Sequence, residues 1–445
     1  VVAAAHAALR WATRLEPPAV RVPPFDPSRT WTRFEHGLRE VHLEGSAEAI
    51  GAGDARLLRD VMISDEAALW AEYERYVPWW IVRTGIDDWS RLRYRHVDRA
   101  LPEARRRELA AQALAFQPDP FASRLPTYQR MVFLHAVYDI ALSLEHSPLI
   151  GCTSFALAPE ATWNGHVLFA RAFDFEAGEM FDHDKVVFLV REDGAIPFAS
   201  VAWPGFIGVV TGVNAEGVAL VVHGGRAGTP SVDGIPVAFS LRDTLERAHD
   251  TEEAVSILSS QPVMVSHITF VADAAGRFAA VERAPGATAY VRATERSTAV
   301  TNHFEGPLAS DPKNLAVRAT TSTLARRARV DELLAGVAPR SATPETALAI
   351  LRDHRCADDA ACSPGDRRAI DALIATHGVV ADLTDRVLWV SAGPHLTGEF
   401  VRLDLRSLLA AGHGSSDDGA VETMPADPAL SHGAHGAARP TGGSL

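Results

Sequence analysis

Apolar and polar positions along this chain follow two rhythms, and the change falls near residue 150. Between residues 64 and 146, the segments ISDEAALWAEYERYVPWW, LPEARRRELAAQALAF and LPTYQRMVFLHAVYDIALSLEH carry apolar residues three and four apart, as on one helix face. Their aromatic residues Trp70, Tyr73, Tyr76, Trp79 and Trp80 are expected in the core, with an acyl or aryl pocket as the functional alternative. From residue 152 the apolar runs become short and β-branched: KVVFLVRE (185–192), PFASVAW (197–203), FIGVVTGVN (206–214) and GVALVVHGG (217–225). Gly, Asp and Asn turns separate them, so they predict strands, with a hairpin turn at Asp193-Gly194. Ahead of both regions, residues 13–35 are rich in Pro and Arg and predict an extended lead-in. VHLEGSAEAIGAGDARLL (41–58) then predicts a short strand running into a helix; its glycines do not satisfy G-x-G-x-x-G.

Two helices are expected next, in SLRDTLERAHD and in AVSILSS, the second opened by Asp250 and Glu253 as a capping box. Strands return in HITFVADAAGRFAAVERAPG (267–286), where Glu282 reads as structural, and in STAVTNHF (297–304). LAVRATTSTLARRARVDELLAG (315–336) predicts one basic amphipathic helix. TPETALAILRD and GDRRAIDALIATHG predict two more, started at Thr343-Pro344 and Gly365-Asp366. DRVLWVSAGPHLTGEFVRLDL (385–405) gives two closing strands around Gly393-Pro394. Residues 412–445 show no periodicity and are expected to be disordered. Helices flanking a strand-rich middle place the chain in the α+β class.

Composition narrows the function. The 445 residues are 47% hydrophobic and 22% charged, enough for a sizeable core, and the formal charge of −13 speaks against a general nucleic-acid binder. No run of about 20 uncharged apolar residues occurs, so a membrane partner is not expected. The opening VVAAAHAALRWA lacks an initiator Met and reads either as a signal remnant or as an amphipathic helix, which leaves the compartment, cytoplasmic or exported, open. Cys356 and Cys362 flank a short polar loop, where a local disulfide and two reduced thiols both fit. Neither that spacing nor His432 and His435 in the tail makes a metal site, and no cofactor is called for.

The third cysteine is the chemically interesting one. In LIGCTSFALAPEATWNGHVLFARAFDF (149–175), Gly151-Cys152 heads a strand–turn–strand pattern with its turn at Asn164-Gly165, and Arg171 and Asp174 follow three residues apart. A free Cys usually fills core space. Here a thiol, a cation and a carboxylate fall on one hairpin, so a nucleophile with a charged neighbour is the competing reading.

This stretch resembles the start of the catalytic subunit in the penicillin acyltransferase-like family of N-terminal-nucleophile (Ntn) cysteine hydrolases, cousins of the choloylglycine hydrolases and acid ceramidase. Gly-Cys-Thr at 151–153 is similar to that family's self-cleavage site, and Arg171 with Asp174 to the pair after its first hairpin. TGVNAEGVALVVHGG is similar to its turn–strand unit, although His223-Gly224-Gly225 stand where relatives often have Asn. Thr301-Asn302 resembles the motif whose Asn polarises the scissile carbonyl, and Ser322 to Arg326 a helix whose Arg approaches the nucleophile, with Arg327 one residue away as the alternative. Asp54-Ala55 depart from the usual His-Gly of the opening helix, and W-x-x-x-G-P at 389–394 resembles the family's last hairpin.

The resemblance implies a four-layer αββα sandwich, cut by the chain itself between Gly151 and Cys152. Residues 1–151 would form a mostly helical small subunit and residues 152–411 the catalytic core, the two fragments staying together as a heterodimer. It implies Cys152 as nucleophile, its own α-amine as base, and Asp174 holding that amine. Arg171 and Arg326 would favour thiolate, and Asn302 with a backbone N–H near 222–224 would hold the oxyanion. The expected activity is hydrolysis or transfer of the acyl group of a small-molecule amide, through a thioester. Two other classes stay open: an uncut Cys–His hydrolase using His223 or His303, and a non-catalytic binding relative.

Overall fold

The computed structural model describes residues 2–143, 150–175, 178–412 and 421–427. The N-terminal part holds α1 (Val2–Ala12), β1 (Trp31–Glu35), β2 (Leu38–Gly45), α2 (Ala47–Tyr76), α3 (Trp80–Arg93), α4 (Glu103–Ala115), α5 (Thr127–His135) and α6 (Val137–Ser143). The middle follows with β3 (Ile150–Leu157), β4 (Leu168–Phe175), α7 (Met180–His183), β5 (Val186–Glu192), β6 (Phe198–Ala202), β7 (Thr211–Asn214) and β8 (Ala219–Gly224). Next come α8 (Val237–Leu245), α9 (Thr251–Ser260), β9 (His267–Ala272), β10 (Phe278–Arg283), β11 (Tyr290–Thr294) and β12 (Thr298–Val300). The last third adds α10 (Pro312–Thr320), α11 (Thr323–Gly336), α12 (Pro344–Leu351), β13 (Ala375–Asp382), β14 (Val387–Ser391), β15 (Phe400–Asp404), α13 (Leu405–Leu408) and β16 (Thr423–Met424).

The strands form two sheets, ordered β1-β2-β5-β6-β7-β8-β9-β10-β11 and β12-β3-β4-β13-β14-β15-β16. Alternate side chains assign the layers. Val186, Phe188 and Val190 of β5 pack with Leu58 of α2, Leu109 of α4 and Leu241 of α8. Their neighbours Val187 and Leu189 point the other way, into a core shared with Phe169 of β4, Val379 of β13 and Val401 of β15. Phe155, Leu168 and Val380 leave the far side of the second sheet and meet Val330 of α11 and Leu348 and Leu351 of α12. Helices, sheet, sheet, helices: the fold is the αββα sandwich expected. Burial on both faces is also why its strands read as unbroken apolar runs.

The N-terminal part is not an appendage. β2 pairs β5 in parallel, from Arg39↔Val186 to Gly45↔Glu192, so the first sheet crosses the expected 151/152 boundary. α2 and α4 approach so closely that a Cβ on Gly51 would lie 2.1 Å from the Glu108 carbonyl oxygen, which only glycine permits. Buried ions continue the joint: Arg242 of α8 contacts Glu108 of α4 at 2.5 Å, Glu192 at 3.2 Å and Glu246 at 2.8 Å, and Arg105 of α4 pairs with Glu108 and Glu192.

Four expectations are corrected. GDRRAIDALIATHG is not a helix: residues 366–374 turn, and Ala375–Asp382 is the buried strand β13 between β4 and β14, which had not been expected. Its alanines, His377 and Gly378 fit because side chains there are closely hemmed in; a Cβ on Gly378 would lie 2.2 Å from Leu396. The helix over 315–336 is two helices broken at Thr321-Ser322. The tail taken as disordered from 412 contributes β16, which pairs β15 at Phe400↔Met424; its remaining residues lie mostly outside those described. Finally Tyr76, Trp79 and Trp80 are not core but exposed. The Asp250 cap does form, accepting the Glu253 N–H at 2.9 Å, but the Glu253 carboxylate returns to His249 rather than to Asp250. Cys356 and Cys362 are joined as a disulfide.

Candidate active site

Cys152 sits third in β3 with β12 on one side and β4 on the other, and it is fully buried. Strand register does the positioning: Gly151 lies opposite Asp174, Cys152 opposite Phe173 and Ser154 opposite Arg171. β12 pairs β3 only as far as Val300↔Ser154, so the chain is free to turn at Thr301-Asn302 toward Cys152. The backbone N–H of Cys152 donates to Asn302 Oδ1 at 2.8 Å. Asn302 Nδ2 donates to the Gly224 carbonyl at 3.1 Å, which fixes the amide by both ends.

Two arginines close around this group from opposite sides. Arg171, fully buried on β4, donates from Nη2 to Cys152 Sγ at 3.3 Å and to the Val222 carbonyl at 2.7 Å. Its Nη1 bonds the Val210 carbonyl and Thr211 Oγ1, so the guanidinium is held by both β7 and the end of β8. Arg326, in the first turn of α11, reaches the Cys152 carbonyl oxygen at 2.5 Å, Thr153 Oγ1 at 2.9 Å and Asn302 Oδ1 at 2.9 Å. The helix break explains its aim: Thr323 Oγ1 receives the Asn302 N–H at 2.9 Å, which ties the start of α11 to the Asn302 turn. Arg327, the alternative, points away to Glu305 and Asp331.

Asp174 is buried at the end of β4, and desolvation lifts its carboxyl to about 6 despite Arg326 nearby. It stands over Gly151: a Cβ there would fall 2.9 Å from Asp174 Oδ2. Gly151 lies in regular strand, and its missing side chain makes room for Asp174. Burial also pushes the Cys152 thiol up, with Arg171 opposing.

The five residues picked from the sequence, Cys152, Arg171, Asp174, Asn302 and Arg326, therefore meet in one buried cluster. The histidines do not join it at the sulfur. His223 bonds Ser154 Oγ at 2.9 Å, and His303 bonds Thr301 and Thr323 at 3.1 and 3.0 Å. Burial drives His223 well below the ordinary imidazole range and His303 down to about 4, so both rings are neutral. Of the backbone donors expected near 222–224, the Val222 N–H is already bound to the Val210 carbonyl at 3.2 Å.

Sequence reading missed two neighbours. Tyr138 of α6 is buried, and desolvation first and the nearby Cys152 second push its hydroxyl up, a hydroxyl with no hydrogen-bond partner among the described residues. His377 of β13 bonds Thr211 Oγ1 at 2.8 Å and stacks on Phe173 at 5.1 Å, bracing the residue that also holds Arg171. An HxxxD or HxxxH signal was not there to find it. Phe173 belongs to an aromatic cluster with Trp203 (5.8 Å), Phe175 (6.1 Å) and Phe181 (4.9 Å from Phe175 and 5.1 Å from Trp203), the last three half-buried. Away from the thiol, His166, Asp382 and Asp385 offer ligand atoms within 4.8 Å of one another, but His166 and Asp382 are already an ion pair at 2.8 Å.

Comparison with known proteins agrees with this picture. Among curated sequences, a protein of Archaeoglobus fulgidus described only as uncharacterized is 26% identical over 163 residues, 34% of this chain and 27% of that one. Protein dcd1A of Dictyostelium discoideum is 31% identical over 115 residues, 24% of this chain and 26% of that one. The chain thus spans about a quarter of the length of the curated relatives it matches. Among solved structures, the N-acylethanolamine-hydrolyzing acid amidase ortholog of Caenorhabditis elegans is 15% identical, covering 52% of this chain and 93% of that one with a TM-score of 0.38. Penicillin V acylase of Agrobacterium tumefaciens is 18% identical, covering 57% and 91% with a TM-score of 0.36. At such scores these likenesses add nothing to the layers already described. The model of the acyl-coenzyme A:6-aminopenicillanic acid acyl-transferase family matches residues 162–364, a span that holds Arg171, Asp174, Asn302 and Arg326 and begins just after Cys152. Over residues 162–364 the chain is therefore a relative of that acyl-transferase family, the kinship its motifs carry.

Proposed function

We propose that this chain is an N-terminal-cysteine amidohydrolase or acyltransferase that activates itself by cutting between Gly151 and Cys152. The observation that carries the reading is the thiol within 3.3 Å of Arg171 while Asn302 and Arg326 grip the backbone of the same residue. Cys152 Sγ attacks the Gly151 carbonyl carbon; the acyl group moves from nitrogen to sulfur, and water then splits the thioester. Gly151 leaves as a carboxylate and Cys152 keeps a free α-amine. Such an amine titrates at about 7.7–8.0, so near neutrality it takes the thiol proton itself and no imidazole is needed.

In the mature site the amine stays where the Cys152 N–H now lies, beside Asn302 Oδ1, and Asp174 stabilises its ammonium form. The thiolate attacks the carbonyl of a substrate amide and expels the amine. Asn302 Nδ2, held by one N–H on the Gly224 carbonyl, donates its second N–H to the oxyanion, a contribution of about 3–4 kcal/mol for one preorganised donor. Water or a second amine then takes the acyl group from sulfur. The aromatic cluster of Phe173, Phe175, Phe181 and Trp203 gives an aryl or alkyl acyl group an apolar bed next to the strand pair that carries Cys152.

Intact mass under denaturing conditions tests the reading. Fragments of 151 and 294 residues (445 less 151) are expected, and Cys152→Ala should stay whole. Fragments persisting in Cys152→Ala would overturn the proposed processing.

A further inference from the structure

α3 is an amphipathic helix turned inside out. Its polar side chains face the protein: Asp87 accepts from the Tyr73 hydroxyl at 3.3 Å, Asp88 pairs His6 of α1 at 2.8 Å, and buried Arg91 donates to the Arg124 carbonyl at 2.6 Å. Its apolar side chains face solvent. Tyr76, Trp79, Trp80 and Ile81, at the turn into α3, are 73%, 71%, 68% and 66% exposed, and Val82, Ile86, Trp89 and Leu92 continue the stripe along the helix. The spacing 79, 82, 86, 89 is that of one helix face, so these four form a ridge, with Tyr76, Trp80 and Ile81 exposed at the turn where it starts. Arg83 donates to the Val77 and Pro78 carbonyls at 2.7 and 3.0 Å, which pins the turn that presents the tryptophans.

Charge selects the partner. Residues 75–95 hold five arginines and two aspartates, a net +3 in a chain whose total is −13. Both aspartates face inward, Arg75 is paired with Glu72 at 2.6 Å, Arg83 is tied to the turn and Arg91 is buried, so the positive charge along the ridge is that of Arg93, 5.6 Å from the Trp89 ring, and exposed Arg95. Trp with Arg, on a face that otherwise has no reason to be apolar, is the chemistry of the interfacial zone of a bilayer with anionic headgroups. No helix among the described residues is long and apolar enough to cross a membrane; lying on one needs only this ridge.

We propose that the α2–α3 turn and the outer face of α3 form a docking surface for an anionic lipid bilayer. It is independent of the proposed chemistry at Cys152. The test is flotation of the full chain with vesicles of equal parts phosphatidylglycerol and phosphatidylcholine, beside phosphatidylcholine alone. Binding to the anionic vesicles, weakened by salt and accompanied by a blue shift of tryptophan emission, is expected. Replacing Trp79, Trp80 and Ile81 by Ser should lower partitioning at least about tenfold with an unchanged melting temperature. Arg93→Glu with Arg95→Glu should weaken only the anionic-vesicle binding. No partitioning into either vesicle would overturn the proposal, as would a concentration-dependent dimer that the Ser variant abolishes, which would make the ridge a contact between two copies.

Discussion

Replacing Asn302 by Ala probes the cluster without relying on any turnover assay. The side chain makes three bonds in a buried place: Oδ1 accepts from the Cys152 N–H at 2.8 Å and from Arg326 Nη2 at 2.9 Å, and Nδ2 donates to the Gly224 carbonyl at 3.1 Å. Truncation leaves three groups unpaired at about 1–3 kcal/mol each. Arg326 keeps its bonds to the Cys152 carbonyl and Thr153, and water can enter part of the space, so the sum falls toward the low end, about 3–5 kcal/mol. Urea unfolding should be compared in a Cys152→Ala background, where the chain cannot process itself. The midpoint should drop with the slope unchanged. A loss below about 1 kcal/mol for Asn302→Ala would mean that these bonds are not formed and that the geometry described is wrong.

Three further outcomes are expected. Gly151→Ala puts a methyl 2.9 Å from Asp174 Oδ2, so the fraction of chain cut, read by intact mass over time, should fall at least about tenfold; unchanged cutting would show that the space is not needed. Asp54 is fully buried and its carboxyl is raised to about 7, mainly by desolvation, so the native state keeps a proton that the unfolded chain releases. That contribution is complete below about pH 4 and lost as pH rises through about 7; Asp54→Asn should therefore gain on the parent in melting temperature between about pH 4 and 7 and keep a constant margin above that, and parallel profiles across this window would refute it. Trp203→Ala should raise KM for aryl-acyl amides more than it lowers kcat, because the aromatic cluster it belongs to offers binding surface and no reacting group; a loss confined to kcat would contradict that.

The site was more legible than the scaffold around it. Cys152, Arg171 and Asp174 lie on one hairpin, where register alone fixes who faces whom, so local pattern was sufficient. Asn302 and Arg326 were found only through a resemblance, because the turn that brings them to Cys152 depends on Thr323 bridging two segments far apart in sequence. β13 escaped because its faces are both covered: with no solvent side there is no alternation, and ahead of Val379 and Val380 only Thr376 among Ala, His and Gly gives it a β-branched residue. Trp79 and Trp80 misled for the opposite reason, since hydrophobicity tells what a side chain avoids and not whether protein or something else covers it.

The parallel pairing of β2 with β5 has a consequence for the order of events. The two strands are separated by about 140 residues, so as one chain they meet at the cost of closing a single long loop. Under the proposed processing, that tether is removed only after the sheet and the Arg105–Arg242–glutamate joint are in place. The cut protein then holds together through contacts it could not readily find again as two free pieces, since parallel pairing between distant segments is slow. Synthesis as one chain is in effect an intramolecular chaperone that is used once: the precursor should refold from denaturant, and the mature protein should not.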